Sequence, residues 1–225
     1  MTKGTKAFFV ITVLSIVAIL LFGILSAQTI RGTKNPDELL RKTDEITLGY
    51  SEQNNHYFAD EIQNLKELEE ASSVILKAQI NDERVMSLRS TETSIKIEKI
   101  FKDETNSLQE GEMIYLIEPF SIIRDERYET NGYQMVSTGD EYILFLNLLH
   151  TVDGYEFSKK ESISFIPSTT KYSRYCLSFD ETVSTIIKGA EKLYYKDYVN
   201  YSFFSEDESV VSIYRKIQEE IEQEN

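Results

Sequence analysis

The sequence predicts a mainly β protein with flanking helices: an N-terminal transmembrane helix, an antiparallel sandwich or barrel, and C-terminal helices. Three observations predict it. Residues 7–27 form a run of 21 residues without a charge. From Ser72 onward apolar residues recur at the two-residue period of strands, with no helical run between them. After residue 180 the period returns to that of a helix.

The apolar run "AFFVITVLSIVAILLFGILSA" follows Lys3 and Lys6. At about 1.5 Å per residue it reaches about 30 Å, the thickness of the hydrocarbon core. A cleaved signal peptide is the competing reading, but its apolar region is usually shorter. The best cleavage point, after Ala27, would also place Leu25 where a small residue is wanted. An uncleaved single-pass anchor is therefore expected. Lys3 and Lys6 favour a cytoplasmic N-terminus, although Arg31, Lys34, Arg41 and Lys42 nearly balance them across the run. The expected location is the cell membrane, with residues 1–6 a cytoplasmic tail, 7–27 the anchor and the bulk of the chain extracellular.

Residues 28–70 read as a helical stalk. Asn35 is a plausible N-cap, Pro36 fits the first helical position, and acids follow in the first turn. After "GYSEQNNHYF", helical spacing resumes at Ile62, Leu65 and Leu68. Residues 71–179 read as the β domain. "SSVILKAQI" has the composition of a core strand, and "TSIKIEKIF" alternates, with Ile95, Ile97 and Phe101 on one face. Pro119 closes "MIYLIEPF". Asn131-Gly132 is the pair preferred by a two-residue hairpin turn. "STGDEYILFLNLL" sets Asp140 and Glu141 against a run of large apolar residues. Gly139-Asp140 is turn chemistry and Glu141 marks a strand entrance, so a structural role is expected for both acids rather than a catalytic one. Residues 180–225 read as helical. One helix starts at an Asp180 cap, and another opens with a Ser205/Glu208 capping box and carries a stripe of Val210, Ile213, Ile217 and Ile221 that should pack on the β domain.

Composition narrows function. With 38 acidic against 24 basic side chains the formal net charge is −14, which repels phosphate backbones and argues against a nucleic-acid partner. Cys176 is the single cysteine, so no internal disulfide forms. His56 and His150 lie in different segments, and no HExxH, paired CxxC or EF-hand loop occurs, so no metal site and no cofactor are expected. No GxSxG elbow, phosphate loop or dinucleotide fingerprint is present either.

Two stretches are candidates for binding. "EPFSIIRDERYETNGY" is long for a connection in a compact barrel, and Arg124, Arg127, Tyr128 and Tyr133 could meet an anionic or peptide ligand there. "KLYYKDYVNYSFF" spaces Tyr194, Tyr198 and Tyr201 at i, i+4 and i+7, and Tyr198 and Tyr201 could form an aromatic contact surface. The plain alternatives are a solvated hairpin for the first and rings cementing the last helix to the barrel for the second.

The segments "LEEASSVILKAQI", "TSIKIEKIFKD", "GEMIYLIEPF" and "NGYQMVSTGDEYILFL" together resemble a domain of secreted and single-pass surface proteins of low-GC Gram-positive bacteria. The resemblance spans residues 65–170 and implies a small OB-like antiparallel barrel outside the membrane; it brings no catalytic residues with it. The functional expectation is a non-enzymatic, membrane-anchored binding or adaptor protein of the cell envelope, with an envelope protein as its possible partner. An envelope hydrolase, or a barrel-type inhibitor of one, is the alternative. A stalk-borne sensor ranks last, because six residues before the span leave little for a cytoplasmic output.

Overall fold

The computed structural model describes residues 12–20, 22–23, 35–42, 46–50, 58–59, 61–87, 90–123, 127–130, 133–177, 183–185, 194–198, 203–205 and 207–224. The chain divides into two compact units, Met1–Thr33 and Lys34–Asn225. In the first, residues 12–20 and 22–23 are helical. The rest of the expected anchor lies outside the described residues, and among those described no helix is long and apolar enough to cross a membrane.

The second unit is built on a closed barrel of five strands: β2 (Val74–Met86), β3 (Thr91–Asp103), β4 (Met113–Glu118), β7 (Glu141–Leu148) and β8 (Ser164–Pro167). The order around the barrel is β2-β3-β4-β8-β7, and β7 closes it by pairing with β2 from Val74↔Leu146 to Gln79↔Glu141. The other edge of β7 is shared, its second half with β8 and its first half with β9 (Arg174–Cys176). The expectation of a wholly antiparallel barrel needs correction, because β4 and β8 run parallel through Tyr115↔Ser164 and Leu116↔Phe165. The long connection after β4 allows this, since parallel neighbours cannot be joined by a tight turn.

Beside the barrel lies a three-stranded sheet in the order β1 (Thr47–Tyr50), β6 (Arg127–Thr130), β5 (Phe120–Ile123). One expectation changes here. Residues 28–70 are not helical throughout, since β1 lies within them and pairs in parallel with β6. Strands β5 and β6 pair antiparallel from Phe120↔Thr130 to Ile123↔Arg127, and the Asn131-Gly132 pair expected to turn a hairpin lies outside the described residues. Both edges of β6 are taken, by β1 and β5, so the chain after residue 132 has no edge of it left to join.

The helices follow their caps. In α1 (Pro36–Lys42) Asn35 Oδ1 accepts the Asp37 amide at 2.9 Å, as the sequence suggests. Helix α2 (Leu65–Glu70) begins later than expected because Asn64 is its cap and accepts from Glu67 N, leaving Ile62 ahead of the helix but buried. Helix α3 (Glu208–Glu224) is capped by Asp207, whose carboxylate accepts from Ser209 N at 2.8 Å. Ser205 is not the cap: it ends β11 (Phe203–Ser205), and its hydroxyl accepts from Asp207 N. The helix expected from Asp180 is also corrected, since β10 (Val183–Thr185) pairs in parallel with β11. Tyr194 and Tyr198 are not on a helical face. Tyr194 bridges to Thr47, a single 3-10 turn spans Tyr195–Asp197, and Tyr201 lies outside the described residues.

Strand β7 explains the core. Tyr142 through Leu146 are all buried, and alternate side chains serve different clusters. Tyr142, Leu144 and Leu146 face the interior with Leu76, Ile95, Ile114 and Phe165. Ile143 and Phe145 face outward and join Ile75, Tyr175, Tyr214, Ile217 and Ile221. Strand β7 is therefore covered on both sides, as its unbroken apolar run predicts, and α3 packs its stripe on the barrel wall. Glu141 sits at the entrance of the strand in an ion pair with Lys77 at 2.7 Å, and the Asp140 carbonyl accepts from Ile80 N at 3.0 Å. A third cluster, with Leu48, Met86, Phe120, Tyr133 and Tyr198, joins the side sheet to the extended end of β2.

Candidate functional site

Two regions gather the chemistry of the second unit, one buried and polar, the other open and apolar. The buried one lies where β3 and β4 meet the segment 133–136. Glu118, at the end of β4, is fully buried. Its Oε1 accepts from Val136 N at 2.9 Å and from the Tyr133 hydroxyl at 3.2 Å, and its Oε2 accepts from the Thr93 hydroxyl. The Arg84 side chain, fully enclosed, pairs with Asp37 at 3.1 Å and donates to the Val136 carbonyl. Arg174 donates to Gln134 at 3.3 Å and lies 5.6 Å from the centre of the Tyr133 ring.

Burial pushes the Glu118 carboxyl above its ordinary range, against the opposing pull of Arg84, the Thr93 and Val136 hydrogen bonds, and Arg174. Tyr142, whose hydroxyl accepts from Ser137 N, is pushed up to about 12, chiefly by burial. Such a network can hold the barrel, α1 and the 133–136 segment in one arrangement. A substrate would have to displace bonds that Glu118 already makes through both oxygens.

The open region is a cleft of about 480 Å³ on the outer wall of the barrel, a volume in the range of small-ligand sites. Ile75 of β2 and Ile143 and Phe145 of β7 are the outward residues that line it. Leu65 of α2, Ile221 of α3 and Phe101 of β3 add further apolar lining, and Glu69, Glu70 and Lys102 complete it. Lys102 Nζ is occupied. It donates to the carbonyls of Glu69 at 2.9 Å and Ser72 at 2.6 Å, beside the end of α2, and pairs with Glu104 at 3.0 Å.

Phe101 reaches the cleft because β3 is irregular. Opposite β2 the register steps from Ile97 (facing Ala78) to Lys99 (facing Lys77), and again from Ile100 (facing Leu76) to Lys102 (facing Ile75). Each step inserts one extra residue, Glu98 and then Phe101, as β-bulges do when they re-aim a side chain. The sequence expectation that Phe101 shares the inward face of Ile95 and Ile97 is thereby corrected. Ile100 packs against the interior cluster instead, and Phe101 is 42% exposed.

The residues singled out from sequence lie elsewhere. Tyr133 is buried against Glu118, and Tyr198 is buried with Leu48 and Phe120. Arg127 and Tyr128 are placed by their backbones on β6, the central strand of the side sheet, while Arg124 and Tyr201 lie outside the described residues. None of the described ones lines the cleft. Sequence reasoning missed Phe101, Glu69 and Glu70. The signal for Phe101 was the broken alternation in "IKIEKIF", where Ile97, Ile100 and Phe101 cannot share one face of a regular strand.

Among the described residues no group of three or more His, Cys, Asp or Glu side chains converges as a metal site would require. No protein-family model matches the chain, and no curated protein matches it.

Proposed function

We propose that this chain is a single-pass, membrane-anchored binding or adaptor protein of the cell envelope, with its barrel outside the membrane and the wall cleft as its binding site. The observation that carries the reading is the cleft itself: an apolar hollow of about 480 Å³ on a rigid barrel, with a half-exposed Phe101 turned into it by a bulge. Leaving such surface in water is unfavourable, and an apolar hollow edged by polar groups is the usual form of a binding site.

Further support comes from the rest of the chain. The barrel's strand order and its one parallel pair, β4 with β8, support the OB-like reading of the barrel, although fold alone assigns no ligand. The described part of the apolar run is helical, with side chains such as Leu14, Ile19 and Phe22 exposed, which suits a lipid surrounding. Lys3 and Lys6 ahead of that run favour an inside N-terminus.

Photo-crosslinking in intact cells tests the reading. A photoreactive phenylalanine analogue replaces Phe101 in one strain and Val85, an exposed residue of β2 outside the cleft, in another, while a membrane-impermeant reagent reports which side the barrel is on. One partner captured from position 101 and not from position 85, with the barrel labelled before lysis, is the expected result. Equal capture from both positions sinks the cleft as the site, and labelling only after lysis sinks the location.

A further inference from the structure

The cleft's surroundings point to the class of its occupant, an inference that rests on the binding reading above and deepens it. Two helices flank the apolar lining, and both are acidic. Helix α2, "LKELEE", sets Lys66 against Glu67, Glu69 and Glu70, of which Glu69 and Glu70 line the cleft. The last turns of α3, which supply Ile221, carry Glu219, Glu220, Glu222 and Glu224 with no base in the final turn. Glu220 is held at the cleft, since its carboxylate accepts from the amide of the lining residue Leu65 at 3.1 Å.

Acids at a helix C-terminus meet the negative end of the helix dipole, so their placement on α3 works against local helix stability. Lysines of the same helices stand near two of the acids, Lys66 at 3.7 Å from Glu70 and Lys216 at 3.8 Å from Glu220, in exposed pairs that contribute little. Lys102 is already paired with Glu104 and bound to two carbonyls, so acids remain in excess on both helices. Lys99 Nζ already lies 4.7 Å from the Phe101 ring centre, which leaves that ring to an apolar contact with a partner. We infer that the cleft docks a cationic amphipathic segment of a partner protein, its apolar side chain seated against Phe101 and Phe145 and its Lys or Arg residues meeting Glu69 and Glu70.

The test uses the full chain in phosphatidylcholine nanodiscs, with empty discs subtracted, and three probes: a short capped peptide with a Leu-Leu-Phe centre and lysines at both ends, the same peptide with glutamates in place of the lysines, and decanoate. The variants are Phe101→Ala, the pair Glu69→Gln/Glu70→Gln, and a remote charge control, Asp153→Asn/Glu156→Gln, in the exposed 149–160 loop. The lysine peptide should bind at least about tenfold more tightly than the glutamate peptide, and less tightly as salt is raised. Phe101→Ala and the cleft glutamine pair should each weaken it, the former by about tenfold, while the remote pair leaves it unchanged. If all three probes bind alike and all depend on Phe101, the cationic partner is overturned and the binding cleft stands. If no probe responds to Phe101→Ala, the cleft reading falls with it.

Discussion

The two faces of β2 and β7 are furnished with the same kinds of side chain and end up in different situations. Inward, Leu76, Leu144 and Leu146 are 1% exposed or less and sealed by the barrel's closure. Outward, Ile75, Ile143 and Phe145 are buried beneath α2 and α3, yet the cover is incomplete and a cleft remains. The difference teaches that apolar character does not separate core from site here. Closure does, and the outer face depends on helices from both ends of the second unit.

Removing the cover gives the largest expected effect. Tyr214 of α3 is fully buried, stacked 4.2 Å from Phe203 and 4.8 Å from Tyr175 between ring centroids, with its hydroxyl donating to the Arg174 carbonyl. Tyr214→Ala should cost about 4 kcal/mol in urea unfolding, whereas Tyr214→Phe should lose only about 1 kcal/mol for the hydrogen bond. Equal small losses would mean that α3 contributes little to the wall.

A pH series probes the enclosed polar region, the opposite extreme from the cleft. With its folded pKa raised above the usual 4.5, Glu118 binds its proton more tightly in the folded state. Stability should therefore fall as pH rises from about 4.5 through the folded pKa, with a slope of up to about 1.4 kcal/mol per pH unit. Glu118→Gln, which cannot ionise, should lack that fall in its urea midpoints. A wild-type stability that rises across the window relative to the glutamine variant would mean that Arg84 and Arg174 outweigh burial.

The smallest expected effect sharpens the contrast most. Phe101 is half exposed, so Phe101→Ala should leave unfolding stability within about 0.5 kcal/mol of the parent while weakening binding at the cleft about tenfold. A loss of several kcal/mol would make Phe101 a core residue by another route and erase the distinction between wall and site.

Much of the fold was legible one segment at a time. The alternation from Ser94 to Ile97, the continuous run from Tyr142 to Leu146, the Asn35-Pro36 helix start and the Val210–Ile217–Ile221 stripe each carry their period in the local sequence, and each is found. The candidate site was not legible in the same way. The residues chosen for their chemistry, Tyr133 and Tyr198, are buried, because a polar tip on a large ring suits a satisfied interior position as well as an exposed one. The Ser205/Glu208 box had the right spacing, but Asp207 stands nearer the helix start and takes the cap.

By itself the sequence determined the barrel's main extended runs and the start of the helix capped by Asn35, where the 21-residue apolar run lies, and that the chain is strongly acidic. These follow from residue type and short-range period, which act within a few residues of chain. Only the tertiary structure decided that β7 closes on β2, that β4 and β8 run parallel, that β1 from the expected stalk pairs with β6, and that two register steps turn Phe101 outward. Each of these depends on which distant backbone offers an edge and in what register, a competition among long-range pairings that no local period records.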